Sequence, residues 1–375
     1  MSAPSVLERI QALDAYAPGL SIAEIRRRHG LENVIKLASN ENPLGASPLA
    51  QEAIRRNAGL AFRYPQGGNP RLREALARLH GVDPGRIVVG NGSDEIIDLA
   101  IRMLAAGGEH NIVCCEPCFS IYPIQARVAG VGLRRRPLRE DFSQDLDGLA
   151  DLADAATRLV FVTTPDNPSG YCPPREDVLR LARRLAERAP GALLVVDEAY
   201  MDFAGDEAAR SLLHAGELPE NVAVLRTFSK SWGLAGLRLG YGIVPPAVAD
   251  GFWRSRLPFS VNVLAEEAAL AAMEDTVFRA ATLGTVREGR RALADGLTRL
   301  GCRVWPSEAN FLMFRLPEGH DARACFEGLL RRGIIIRPLA SYGLADHLRV
   351  SVGTPEENAA FLAALGEELA PGAGA

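Results

Sequence analysis

Among the 42 basic side chains of this 375-residue sequence, only Lys36 and Lys230 are lysines. A guanidinium stays protonated, so an amine that condenses with a carbonyl compound has two candidate positions here. Lys36 sits inside the strand-like run Val34-Ile35-Lys36-Leu37 and reads as structural. Lys230 stands between two serines in a glycine-rich turn, Ser229-Lys230-Ser231-Trp232-Gly233-Leu234-Ala235-Gly236, with Arg238 just beyond. Partial desolvation there would lower its pKa and make it a nucleophile. Asp197 closes the apolar run Leu193-Leu194-Val195-Val196, so its carboxylate needs a cation or strong donors. A helix cap or an ion pair would satisfy it, and so would the protonated ring nitrogen of a cofactor. Gly90-Asn91-Gly92-Ser93-Asp94-Glu95 is a glycine turn feeding a helix that Ser93 could cap. Free N–H groups at such a start suit a phosphate, although an ordinary N-cap looks the same in sequence. The turn is neither a Walker loop nor a GxGxxG, so nucleotide readings gain no motif support.

These residues must be positioned by strands. Apolar β-type runs occur at Arg86–Val89, Asn111–Cys115, Leu159–Val162, Ala192–Val196, Val222–Leu225 and Leu239–Ile243, with helical periodicity between them, as at Ser93–Leu104 and Glu176–Arg188. Runs without alternation suit strands covered on both faces, which predicts an α/β layer structure with a largely parallel sheet. Ligands of such sheets bind beyond the carboxyl ends of the strands. Five successive runs end in polar, turn-forming clusters, which points to one shared site. A long helical stretch from Asp275 to Leu300 follows, its continuity weakened by Gly284, Gly289 and Gly296. The chain then reads β–β–α–β–β–α over Arg303–Trp305, Ala309–Phe314, Ala322–Arg331, Ile334–Arg337, His347–Val352 and Pro355–Leu365, a smaller α+β unit. The expected division is 1–45 (an N-terminal segment shared between the small domain and a substrate lid), 46–275 (a large cofactor-binding domain) and 276–375 (a small C-terminal domain).

A phosphate-binding helix start, an Asp on a strand, a lysine after a later strand and an extra arginine together describe a pyridoxal-phosphate site. The chain resembles the fold-type I pyridoxal-phosphate-dependent aminotransferases of class II, and among them the histidinol-phosphate aminotransferase family, from about Tyr16 to Asn358. The blocks that carry the likeness are Lys36–Gly45, Arg63-Tyr64-Pro65, Gly90–Glu95, Thr163–Gly170, Val196–Tyr200, Arg226–Arg238, Gly333–Leu339 and His347–Thr354. The resemblance implies that Lys230 carries the imine with pyridoxal 5′-phosphate and then moves the proton, and that Asp197 holds the pyridine nitrogen. It implies that Asn167 and Tyr200 meet the ring oxygen, with a cis peptide before Pro168, and that Phe119 stacks on the ring where the family commonly has Tyr. Gly92, Ser93, Asp94, Ser229 and Arg238 would hold the phosphate, and Tyr64 would reach the partner's cofactor across a homodimer. For substrate it implies Arg349 on the carboxylate, Arg337 on a substrate phosphate, and Tyr16 and Asn42 in a segment closing over both. Phe259 also stands where the family often has Tyr. The substrates would be a phosphorylated amino alcohol and glutamate or 2-oxoglutarate, in ping-pong transamination serving histidine synthesis. Aromatic aminotransferases share nearly all these motifs, and threonine-phosphate decarboxylase shares the fold and a phosphorylated substrate, so both stay open at this point. A non-catalytic relative is opposed by intact Lys230, Asp197 and Arg238.

Charge and composition exclude other classes. With 46 acidic residues the net charge is −4, which gives no basic face for nucleic acid or anionic membrane. Met1–Ile10 carries Glu8 and Arg9 and no apolar run, and no stretch approaches the ~18 residues of a membrane span, so a cytoplasmic enzyme is expected. Cys114, Cys115 and Cys118 include a CxxC, but no second ligand pair accompanies it, and they read as small residues at a strand end rather than a metal site.

Overall fold

The computed structural model describes Gln11 and residues 20–370. Seven strands form the main sheet: β2 (Ile87–Gly90), β3 (Asn111–Glu116), β4 (Gly132–Pro137), β5 (Thr157–Thr163), β6 (Leu193–Asp197), β7 (Val222–Thr227) and β8 (Gly240–Ile243), in the order β2-β8-β7-β6-β5-β3-β4. The pairs from β7 through β6, β5 and β3 to β4 are parallel, while β8 runs antiparallel to both of its neighbours. The sheet is therefore mixed and mostly parallel, as the unalternated apolar runs predict. Core packs on both of its faces, with Val113, Val160, Val162, Leu194 and Val224 on one and Ile112, Leu159, Phe161, Val195 and Leu225 on the other. The reversal of β8 matters for the site. Its amino end meets the edge where the other strands finish, so the chain entering it delivers Arg238 to that edge.

The edge strand β4 has no counterpart among the predicted runs. Its Leu133-Arg134-Arg135-Arg136 carries charge where an interior strand would carry apolar side chains. The arginines engage Asp154, Glu116 and Asp145, and such an edge resists pairing with other chains.

A second sheet, β12-β13-β10-β9, is antiparallel and is built from β9 (Arg303–Val304), β10 (Phe311–Arg315), β12 (Arg337–Pro338) and β13 (His347–Ser351). The predicted strand Ile334–Arg337 divides in two. Its first half, β11 (Ile334–Ile335), leaves this sheet to pair in parallel with β1 (Ile35–Lys36). Lys36 is thus on a strand, bonded to Glu41 at 2.9 Å.

Four helices bear on the site and its support: α1 (Ser93–Leu104), α2 (Ile121–Ala129), α3 (Thr276–Arg299) and α4 (Pro355–Glu368). Asp275 caps α3 by accepting from the Phe278 amide at 3.1 Å, and α3 runs unbroken through its three glycines. Among the described residues no helix is long and apolar enough to cross a membrane.

Candidate active site

The polar clusters at the ends of β2, β3, β5, β6 and β7 converge on one cavity of about 270 Å³. Its wall contains Gly92, Ser93, Asp94, Phe119, Asn167, Asp197, Tyr200, Ser229, Lys230, Arg238, Arg337 and Arg349, which the sequence singles out. A broader hollow of about 490 Å³ adjoins it and shares Arg337 and Tyr342.

Asp197 is the last residue of β6 and is 3% exposed. Its carboxylate accepts from the Tyr122 hydroxyl at 2.9 Å and from the Ala199 amide at 3.1 Å. Burial raises its pKa to about 6, against which the Tyr122 bond works. Lys230 follows β7. Its amine donates to the Ser39 carbonyl at 3.3 Å and lies 5.5 Å from the Tyr200 ring centre. Burial first, and then the Arg349 charge, lower its pKa to about 8. The loop carrying it is braced from beneath by the buried Arg226, which binds Glu198 and Asp202 at 2.8 Å each, and Ser231 donates to Asp202.

The anion end of the cavity lies at the start of α1. Gly92, not Ser93, is its N-cap, and no side chain caps the helix. Ser93 is already the first helical residue, because the turn needs the positive φ of 80° that Gly92 supplies. A Cβ on Gly92 would meet the Arg238 guanidinium at 2.6 Å, so the glycine keeps open a cradle between helix start and guanidinium. Arg238 bonds the Asp94 carboxylate at 3.0 Å. The Asp94 side chain can orient this arginine, while its backbone amide is the donor that a phosphate would use.

Arg349 on β13 and Arg337 on β12 are direct cross-strand partners, so both project to the same face of the small sheet. Arg349 donates to Asn167 at 2.5 Å and to the Ala38 carbonyl at 3.0 Å, and its buried Nε has no hydrogen-bond partner among the described residues. Two guanidiniums on one face suit an anionic ligand.

Three expectations need correction. The bond before Pro168 is trans, and the cis bonds lie at Glu116–Pro117 and Thr164–Pro165. The Asp166 carbonyl accepts from the Gly170 amide four residues on, a helical-type turn that a trans Asn167–Pro168 bond continues. Asn42 does not face the cavity. Its amide donates to the Ser231 carbonyl at 3.0 Å and to Thr282 at 3.2 Å, which ties the N-terminal segment to the backbone behind Lys230. Ser93 does not serve as the cap, for the reason given above. Tyr64 lies outside the cavity, 81% exposed and stacked on Phe259 at 4.8 Å. Tyr16 lies outside the described residues.

Asn40 was not among the expected site residues, yet it lines the cavity and is 1% exposed. Its place in the block Ser39-Asn40-Glu41-Asn42 was the available signal. Thr163 and Thr227, the last residues of β5 and β7, also line the wall.

The donor set fits pyridoxal phosphate. There is a buried carboxylate for a ring nitrogen, an amine with a lowered pKa, an amide and a phenol for a ring oxygen, and a glycine-lined helix start with a guanidinium for a phosphate. Comparison with known proteins agrees. The family model for aminotransferase class I and II matches residues 32–365. The histidinol-phosphate aminotransferase of Oleidesulfovibrio alaskensis is 60% identical over 97% of this chain and 95% of its own. That of Nitratidesulfovibrio vulgaris is 60% identical over 98% and 99%. The crystal structure of histidinol-phosphate aminotransferase from Sinorhizobium meliloti, in complex with pyridoxal-5′-phosphate, superposes with a TM-score of 0.86 at 30% identity, covering 96% of each chain.

Proposed function

We propose that this chain, which belongs to the aminotransferase class I and II family, transfers an amino group from glutamate to imidazole-acetol phosphate using pyridoxal 5′-phosphate. The observation that carries this reading is one cavity holding Lys230 and Asp197 beneath the opposed pair Arg337 and Arg349. An amine and a ring-nitrogen partner without the arginines would suit many carbonyl reactions. The paired guanidiniums add selection for substrates that carry an anionic group, the carboxylate of one and the phosphate of the other.

When bound, pyridoxal phosphate supplies an aldehyde and an electron-withdrawing ring. Lys230, whose pKa burial and the Arg349 charge lower to about 8, provides the nucleophilic amine and the base that takes and returns the substrate's α-proton. Asp197 keeps the proton on the ring nitrogen. Tyr200 and Asn167 donate toward the ring oxygen, and Phe119 offers its face to the ring. The Gly92, Ser93 and Asp94 amides, the Ser229 hydroxyl and Arg238 hold the phosphate. Arg349 takes the carboxylate of glutamate. Arg337, on the wall shared with the outer hollow, takes the phosphate of the second substrate, and Tyr16 belongs to the N-terminal segment that closes over the substrate.

In the same reading the chain is a cytoplasmic homodimer in histidine biosynthesis, with Tyr64 serving the partner's cofactor. Residues 1–45, 46–275 and 276–375 form the N-terminal segment, large domain and small domain. Steady-state kinetics with histidinol phosphate, histidine, aromatic amino acids and threonine phosphate, each with 2-oxoglutarate, test the substrate. The expected result is a strong preference in kcat/KM for histidinol phosphate. A preference for phenylalanine or tyrosine would replace the substrate and keep the chemistry. Carbon dioxide release from threonine phosphate without an oxo acid would replace the reaction.

A further inference from the structure

Tyr200 has one proton and two acceptor positions on its hydroxyl, so what occupies the acceptor side decides where the proton points. The Asn40 amide donates to that oxygen at 3.1 Å. The assignment of nitrogen and oxygen in the Asn40 amide follows from its other contacts. Ser351 accepts from the Asn40 backbone N–H at 2.9 Å and donates to the Asn40 side-chain amide oxygen Oδ1 at 2.9 Å, which turns the amide nitrogen toward Tyr200. The backbone is fixed as well. The Asn40 carbonyl accepts from Asn310 at 3.0 Å, and its φ of 55° lies in the left-handed region that asparagine tolerates.

We propose that Asn40 is a positioning residue that acts through Tyr200, directing the phenol proton into the cavity toward the ring oxygen of the cofactor. This rests on the cofactor reading of the cavity. The other groups that face the phenol are Lys230 above its ring, Arg349, Asp197 and Asp94, with Phe311 edge-on at 5.2 Å. Of the hydrogen bonds made within the described residues, the only one to the Tyr200 hydroxyl comes from Asn40. With the amide in place, the phenol donates fully to the ring oxygen and draws charge from it. Without the amide, the phenol shares its proton with other acceptors. The ring oxygen then keeps more negative charge and holds the proton on the Lys230 nitrogen to higher pH.

The test is a pH titration of the visible absorbance of the holoenzyme, with cofactor affinity measured alongside it. Asn40→Ala should move the titration midpoint up by ~0.5–1 pH unit, the size expected for the loss of one hydrogen bond between neutral groups. Asn40→Asp keeps shape and backbone conformation but replaces the donor with an acceptor, so its shift should be larger. In a Tyr200→Phe background, Asn40→Ala should produce no further shift. An equal shift with and without the phenol would overturn the proposal, because a general structural role would not need Tyr200. If Asn40→Ala folds poorly, Asn40→Ser, which removes the amide donor without adding a charge, decides by the same comparison. A wild-type protein with no visible band on addition of pyridoxal phosphate would overturn the cofactor reading, and this inference with it. A normal band with additive shifts would overturn this inference alone.

Discussion

At the scale of single residues, two perturbed groups in the wall of one cavity have opposite needs. Lys230 is depressed from 10.5 to about 8 because burial and the Arg349 charge disfavour its ammonium. The apoprotein should therefore capture pyridoxal phosphate at a rate that rises with pH and levels off above about 8. Stopped-flow absorbance would show this, and an inflection near the ordinary lysine value would refute it. The stability consequence has a definite sign. Between about 8 and 10.5 the unfolded chain binds the proton that folded Lys230 has lost, so the apoprotein gains stability as pH rises through that window. Asp197 acts the other way: raised to about 6 by burial, it makes the apoprotein lose stability as pH rises from 3.8 to about 6. Replacing Lys230 by Ala should abolish both turnover and the visible absorbance of the bound cofactor. Both residues were legible in the sequence because only a lysine or a strand-end carboxylate can do their work. Asn40 was not. Its partner Tyr200 is 160 residues away, and no local spacing records a contact that only the fold creates. Asn42 misled for a related reason, since a conspicuous polar residue beside the site can turn its amide to the backbone behind it.

At the scale of elements, the parallel strands were readable because burial on both faces leaves them uniformly apolar, and α1 because its apolar periodicity is regular. The edge strand β4 is held by backbone pairing to β3 and by ion pairs, which hydropathy does not register. The glycines of α3 weakened its prediction, yet they differ in kind. Gly289 is buried, and a Cβ there would meet the Val352 Cγ1 at 2.6 Å and the Asn358 amide nitrogen at 2.9 Å, so it permits close approach of the strand β13 exit and α4. Gly284 has nothing within 4 Å of the same position. Substitution by alanine should therefore have opposite signs. Gly284→Ala should stabilise by ~0.5–1 kcal/mol through helix propensity and a less flexible unfolded chain. Gly289→Ala should destabilise by about 1–3 kcal/mol, because Asn358, bonded to both the N–H and the carbonyl of Gly353, cannot yield freely. Thermal or urea unfolding of the two variants checks the signs, and a destabilising Gly284→Ala would remove the distinction.

At the scale of the whole molecule, the cavity depends on chain segments far apart. The strip 38–42 accepts from Arg349 at Ala38, accepts from Lys230 at Ser39 and donates to Tyr200 from Asn40, so it joins the small sheet to the lysine loop. Away from the cavity, Phe62, Tyr64, Leu257 and Phe259 expose apolar area, with Phe62 at 75% and Leu257 at 69%. An exposed patch of this kind suits an isologous interface, and such an interface would carry Tyr64 into the partner's site. Intersubunit complementation tests this directly. A Tyr64→Ala protomer keeps Lys230 but would deprive its partner's site of the phenol, whereas a Lys230→Ala protomer lacks its own amine and would still supply Tyr64. Each variant alone should be impaired, Tyr64→Ala by weaker cofactor retention and Lys230→Ala entirely. After unfolding and refolding them together, one site of each mixed dimer regains both groups. Random assortment puts half of the protomers' pairings in mixed dimers, each with one working site, so activity should return to ~25% of wild type. Native mass spectrometry can confirm that subunits have exchanged. If mixed dimers form and activity stays at the sum of the separate variants, Tyr64 serves its own chain or none, and the two sites do not share it.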